Sequence, residues 1–101
     1  MTHFEWFAEG ERLFGPGIMQ WRFVCPSCGH IASVQDWKDA GAPEGAVAFS
    51  CIGRYLPERS EAFGGQGSGP CNYTGGGLIR LNPVDVEGRQ TFAFARGEPT
   101  P

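Results

Sequence analysis

Cys25, Cys28, Cys51 and Cys71 are the side chains of this sequence best equipped for chemistry. A thiolate can ligate a metal, attack a disulfide or form one. Only Pro26 and Ser27 separate the first two cysteines, so one tight turn can aim both sulfurs at the same tetrahedral centre. Pro26 presets φ within that turn, and Gly29 supplies the positive φ often required just after it. Such a turn also directs backbone N–H groups at the sulfurs and favours their thiolate form. Cys51 and Cys71 stand alone, with 19 residues between them, where a standard zinc ribbon carries a second closely spaced pair. Each adjoins turn residues, Cys51-Ile52-Gly53 and Gly69-Pro70-Cys71. The pattern reads as a ribbon whose second knuckle is opened by a long insertion. The expected cofactor is one structural Zn²⁺ held by Cys25, Cys28, Cys51 and Cys71; the ligand set equally accommodates iron in a rubredoxin-like site.

Other chemistries compete for the same residues. A thioredoxin-type pair needs a helix N-terminus to lower the pKa of its first thiol, whereas Cys25 and Cys28 are flanked by strand-like sequence. Two disulfides would need an oxidising compartment, which nothing else in the chain suggests. His3-Phe4-Glu5 upstream of a Cys-x-x-Cys is similar to a zinc-deaminase signature, but here the proline lies inside the pair rather than before it. His3 and His30 are spare metal ligands that four cysteines make unnecessary. The glycine-rich run Gly64 to Pro70 lacks the Lys-Ser/Thr of a phosphate loop, and no Ser/His/Asp set stands out. A closed four-thiolate site leaves zinc no open position for water, which points to scaffolding rather than catalysis.

The elements that must position these cysteines are short. Met19 to Val24 alternates apolar and polar residues and His30 to Val34 reads as its returning strand, a hairpin with the cysteine turn at its tip. Ser33 and Asp36 form a capping pattern that starts a short helix ending at Gly41. Ala46 to Cys51 reads as a buried strand. Leu78 to Leu81 and Thr91 to Ala95 read as a second hairpin turning near Glu87-Gly88. Residues 1–18 carry an apolar set without a clean period; a short helix over 4–9 or a strand pair turning near Gly10 both fit. The expected fold is mainly β, with a small α+β arrangement as the variant. It is a zinc-ribbon-like domain with β-hairpins, one short helix and a long insertion between the third and fourth cysteines. Residues 1–18 form an N-terminal segment, packed on the domain or mobile; 19–96 form the domain; 97–101 form a tail that frays.

With 101 residues, the chain has room for one small domain, of a size that often relies on metal or disulfides to supplement its core. The formal net charge of −3 offers no overall basic field for nucleic acid, and four thiolates around one Zn²⁺ would make the chain more acidic still. Seven of the eight basic residues are arginines, so a local basic face is compatible with that balance. No apolar run approaches a membrane span. The start, MTHFEWFAEGE, lacks the basic stretch and apolar run of a secretory leader, so the expected compartment is the cytoplasm.

Three stretches, FVCPSCGHIASVQDW, FSCIGRY and GPCNYTGGGLIRLNPV, resemble a family of short uncharacterised bacteriophage and prophage proteins across roughly residues 20–85. The resemblance implies a phage or mobile-element origin and a bacterial host cytoplasm, and supplies no mechanism. On the residues themselves, the segment between Cys51 and Cys71 is the best candidate for recognition, because a loop of that length is usually functional or disordered and its ends would be pinned at the metal. Arg54, Tyr55, Arg59 and Phe63 are its expected partner-binding residues. Trp6, Phe7, Phe14 and Trp37 could make an apolar interaction surface or belong to the core. The expected function is that of a non-enzymatic, zinc-binding protein module that docks on a host or phage protein, perturbing host machinery or defence. The alternatives are a nucleic-acid-binding zinc ribbon and a thiol-disulfide redox protein. Oligomeric state is left open.

Overall fold

Thr2 opens the first helix with a complete capping box: its hydroxyl accepts from the Glu5 N–H while the Glu5 carboxylate accepts from the Thr2 N–H. The computed structural model describes residues 1–57, 61–62 and 70–100, and in it this helix, α1, runs His3–Phe14. Trp6, Gly10 and Phe14 recur at helical spacing on one face. Gly10 occupies the centre of that face because the Trp21 ring packs directly against its backbone; a Cβ there would overlap the ring. The missing side chain is why the apolar period of residues 1–18 is illegible, and why a helix over 4–9 understates the element.

The chain then makes a short 3-10 turn at Ile18–Gln20 and enters β1, Arg22–Val24. β2, Ile31–Ser33, returns antiparallel to β1, with Phe23 opposite Ala32. Ser33 caps α2, Val34–Asp39, in a second capping box with Asp36, as the sequence predicts. Gly41 follows in the left-handed region. The predicted strand over Ala46 to Cys51 does not form. A 3-10 turn spans Glu44–Ala46 and Ala48 takes a φ of +56°, which swings the backbone around. What is left of strand pairing is a single bridge between Ser50 and Thr74.

The second hairpin is shifted from its predicted place. Its strands are β3, Val84–Val86, and β4, Arg89–Thr91, joined by Glu87 and Gly88, both at positive φ. Leu78 to Leu81 is not a strand. Only β5, Ala93–Phe94, continues beyond β4, and it leaves the hairpin to pair with β1, completing a three-stranded sheet of order β2-β1-β5.

The mainly β expectation is therefore corrected to a small α+β domain. No described strand exceeds three residues, while α1 alone has 12, and two α-helices replace the single one expected. The core is aromatic. Trp21, Phe23, Trp37, Tyr73 and Phe92 are each about 1% exposed. Phe23 and Phe94 stack at 4.9 Å, and Trp6 covers Phe94 at 5.3 Å, so α1 is fastened over the sheet through ring contacts. The three fully buried rings with a polar tip find partners: Trp21 donates to Gly15, Trp37 to Ser50, and the Tyr73 hydroxyl accepts from the Leu81 N–H. Just before α1, the Met1 amino group donates to the Asp85 carbonyl in β3, and the Met1 carbonyl accepts from the N–H of Glu87 in the following turn. Near the C-terminal end, Thr100 exchanges two hydrogen bonds with Ile31. No helix among the described residues is long and apolar enough to cross a membrane.

Candidate metal centre

The β1–β2 connection forms the knuckle that its sequence predicts. The Cys25 N–H donates to His30 and the Gly29 N–H donates to Cys25, with Gly29 at a φ of +78°. Both cysteines thus project from one closed turn whose legs are strands. Cys51 and Cys71 arrive from distant parts of the chain and are knitted together next to it. The Cys51 N–H donates to Tyr73, the Ser50 and Thr74 hydroxyls share a hydrogen bond of 2.8 Å, and Gly53 packs against the Pro70–Cys71 backbone. Arg54 reaches across with its guanidinium to the Asn72 carbonyl at 2.9 Å.

The four sulfurs lie within 4.8 Å of one another and could hold one metal ion. Cys25 and Cys71 lie 3.8 Å apart, sulfur to sulfur, and Cys28 and Cys51 3.7 Å. A tetrahedron with metal–sulfur bonds of ~2.3 Å has edges of ~3.8 Å, so these two edges already have the length a tetrahedral ion needs. They are far too long for S–S bonds, which measure ~2.05 Å, and all four cysteines are free. Cys25, Cys51 and Cys71 are buried while Cys28 faces solvent.

Without a cation the cluster cannot ionise throughout, because each new thiolate meets the charge of the first. The Cys28 pKa is pulled down by its contacts with the neighbouring Cys25 and Cys51 thiols. Cys25 is pushed up to about 12, chiefly because its proton is held by Cys28. Cys51 is raised by its bonds to Cys25 and Cys28. A divalent ion would complete this cluster of crowded sulfurs by displacing their protons.

The remaining predicted residues fall in different places. His30 is not among the clustered ligands; its pKa is lowered by burial, and its Nδ1 is buried without a partner among the described residues. His3 binds Glu87 at 2.8 Å, on the N-terminal helix. Arg54 is exposed and Tyr55 half-buried on the 3-10 turn Ile52–Tyr55 that follows Cys51. Arg59 and Phe63 lie outside the described residues. Trp37 belongs to the core, whereas Phe7 remains 44% exposed. Phe7 joins Trp6, Ile18, Met19, Val47 and Val86 around an open apolar groove of about 790 Å³.

Sequence reasoning missed the pins that hold the loop to the knuckle. Ser27, inside the Cys-x-x-Cys turn, donates to the Ala62 carbonyl at 2.6 Å, and Asn72 accepts from the Ala62 N–H at 2.8 Å. The polar residue between the first two cysteines was the available signal, but its partner is 35 residues away.

The fold and the site together define a small α+β protein built around a four-cysteine cluster able to take one metal ion. The chain belongs to the VVA0879-like family, whose model matches residues 2–95 and so takes in α1 as well as all four cysteines. Comparison with curated proteins and with solved structures gives no match.

Proposed function

We propose that this protein is a non-enzymatic module of the zinc-ribbon kind, with one structural Zn²⁺ on Cys25, Cys28, Cys51 and Cys71, that acts by binding another protein. The observation that carries the reading is the pair of sulfur–sulfur edges at 3.7 and 3.8 Å, drawn from three separate places in the chain. Four sulfurs fill a tetrahedral ion and leave no position for a substrate, so the ion's role is to organise surfaces. Two such surfaces adjoin it or the core: the segment after Cys51, with Arg54 and Tyr55 at its described start, and the apolar groove beside Phe7. The resemblance to phage and prophage proteins supports a partner from a bacterial host or its phage, met in the host cytoplasm.

Redox chemistry fits the site less well. A thioredoxin-type pair needs a helix N-terminus to lower the pKa of its first thiol, whereas Cys25 and Cys28 sit in a turn between two strands, with two further cysteines crowding them.

Metal analysis of freshly purified protein tests the reading, with one zinc per chain expected. Iron in its place would change the ion and keep the scaffold; no stoichiometric metal would end the proposal. The partner is tested by pull-down from infected or lysogenic bacteria with wild type, Arg54→Ala and Arg59→Ala. A specific protein retained by wild type and lost from the folded variants supports docking through the loop. Equal retention by all three rules that loop out.

A further inference from the structure

A second candidate site lies away from the cysteines, where α1, β1 and the segment after β5 converge. Arg12, Arg22 and Arg96 line a pocket of about 280 Å³ with Leu13 and Phe14 at its apolar wall. The chain has eight Lys and Arg against eleven Asp and Glu, so three guanidiniums at one small pocket run against its overall acidity. Their counter-charges leave two of the three incomplete. Arg12 is matched by Glu9 one turn away. Arg22 lays its guanidinium over the Phe14 ring, 4.9 Å from the centroid, and its Nε is buried with no acceptor among the described residues. Its ion-pair partner, Glu98, stands 3.9 Å off and is 92% exposed. Arg96 has no hydrogen bond or ion pair among the described residues, although it is near enough to Glu9 to contribute to lowering that carboxyl's pKa, after Arg12.

Arg22 is also held in place. Its backbone belongs to the central strand of the sheet, its side chain is only 23% exposed, and its guanidinium carbon rests over the Phe14 ring. A fixed guanidinium loses little freedom when it binds an anion, and its planar fork matches paired oxygens. We propose that this pocket binds a phosphate group, either as free inorganic phosphate or as part of a nucleic-acid backbone. A carboxylate offers two oxygens in one plane and a single charge. Three guanidiniums from three elements suit an anion with more oxygens, out of plane, and up to two charges. Glu98 is the group the anion displaces. The proposal depends neither on the metal nor on the docking loop.

The test is a titration of the metal-loaded full chain at low ionic strength, followed by amide and arginine side-chain NMR, with inorganic phosphate in one arm and a short single-stranded oligonucleotide in the other. Shifts are expected at Phe14, Arg22 and Arg96. Arg96→Gln should weaken binding about tenfold, as loss of one charged hydrogen bond does, and Arg22→Gln at least as much. Arg96 is exposed, so its variant is expected to fold even if the Arg22 variant does not. Glu98→Gln should tighten binding by about threefold, which a merely structural arginine cluster would not show. An oligonucleotide that competes with phosphate and binds more tightly assigns the group to a nucleic-acid backbone; phosphate binding without oligonucleotide binding assigns it to a small ligand. Shifts confined to other surfaces, or equal affinity in wild type and Arg96→Gln, overturn the proposal.

Discussion

Gly53 lies so close to Cys71 that a Cβ at residue 53 would overlap the Cys71 carbonyl and sit 2.7 Å from the Pro70 carbonyl carbon. The residue two positions after the third cysteine therefore fixes the position of the fourth. Its own conformation is ordinary; what demands glycine is the close approach of a second stretch of backbone.

Gly53→Ala is expected to push the Pro70–Cys71 backbone outward and spoil the tetrahedron with all four ligands still present. Perturbing the support of a metal ligand typically weakens metal binding about 10- to 100-fold. Competition with a chromophoric zinc chelator measures this. Wild-type affinity in Gly53→Ala would show that the close approach does not control the site.

Cys25→Ser, Cys28→Ser, Cys51→Ser and Cys71→Ser should each lose stoichiometric metal, and the domain should unfold or melt far below wild type. A structural four-cysteine zinc site contributes on the order of 10 kcal/mol in apparent terms, which exceeds the stability expected of so small a core. Zinc content and circular dichroism melts check the prediction. A serine variant that keeps one tightly held ion and a wild-type melt would remove that residue from the ligand set.

Gly10→Ala separates two opposed effects. Helix propensity alone favours alanine by about 1 kcal/mol. Overlap with the buried Trp21 ring opposes it, and overpacking of this kind costs about 1–3 kcal/mol. The net effect should be destabilising, with tryptophan fluorescence reporting loosened packing of α1. A stabilised variant would mean that α1 is not seated on Trp21.

Acid should loosen α1 before the rest of the domain. Glu87 has its pKa lowered by hydrogen bonds from the His3 backbone and ring, Glu5 by those from Thr2, and Glu9 by that from Arg12. A carboxyl whose folded pKa lies below its unfolded value stabilises the fold above that unfolded value, and the contribution disappears as pH falls through the folded one. The loss should therefore begin near the ordinary carboxyl pKa of 4.5 and deepen below it. All three groups reach solvent, so the step is small. Tryptophan fluorescence against pH, in wild type and Glu87→Gln, should show a smaller acid step in the variant. Identical profiles would contradict the role of Glu87.

Local chemistry was readable in the sequence. The knuckle around Cys25 and Cys28, the Ser33–Asp36 capping box and the turn at Glu87-Gly88 each depend on neighbours within a few residues. The Thr2–Glu5 capping box was equally local, and it was the available signal for α1, whose apolar period is broken by Gly10. Elsewhere, sequence pattern misled. Ala46 to Cys51 looks like a strand, but Ala48 turns the chain, and its carbonyl takes a hydrogen bond from Phe92 instead of a regular strand neighbour.

The sequence by itself determined which atoms could ligate a metal and where the chain must turn, because residue type and short spacing fix those properties without help from distant partners. Only the tertiary structure decided that Cys51 and Cys71 meet the first pair, that Trp21 takes the space left by Gly10, and that Arg12, Arg22 and Arg96 face one pocket. Those are outcomes of packing between segments tens of residues apart, where shape and competition for buried space choose the neighbour.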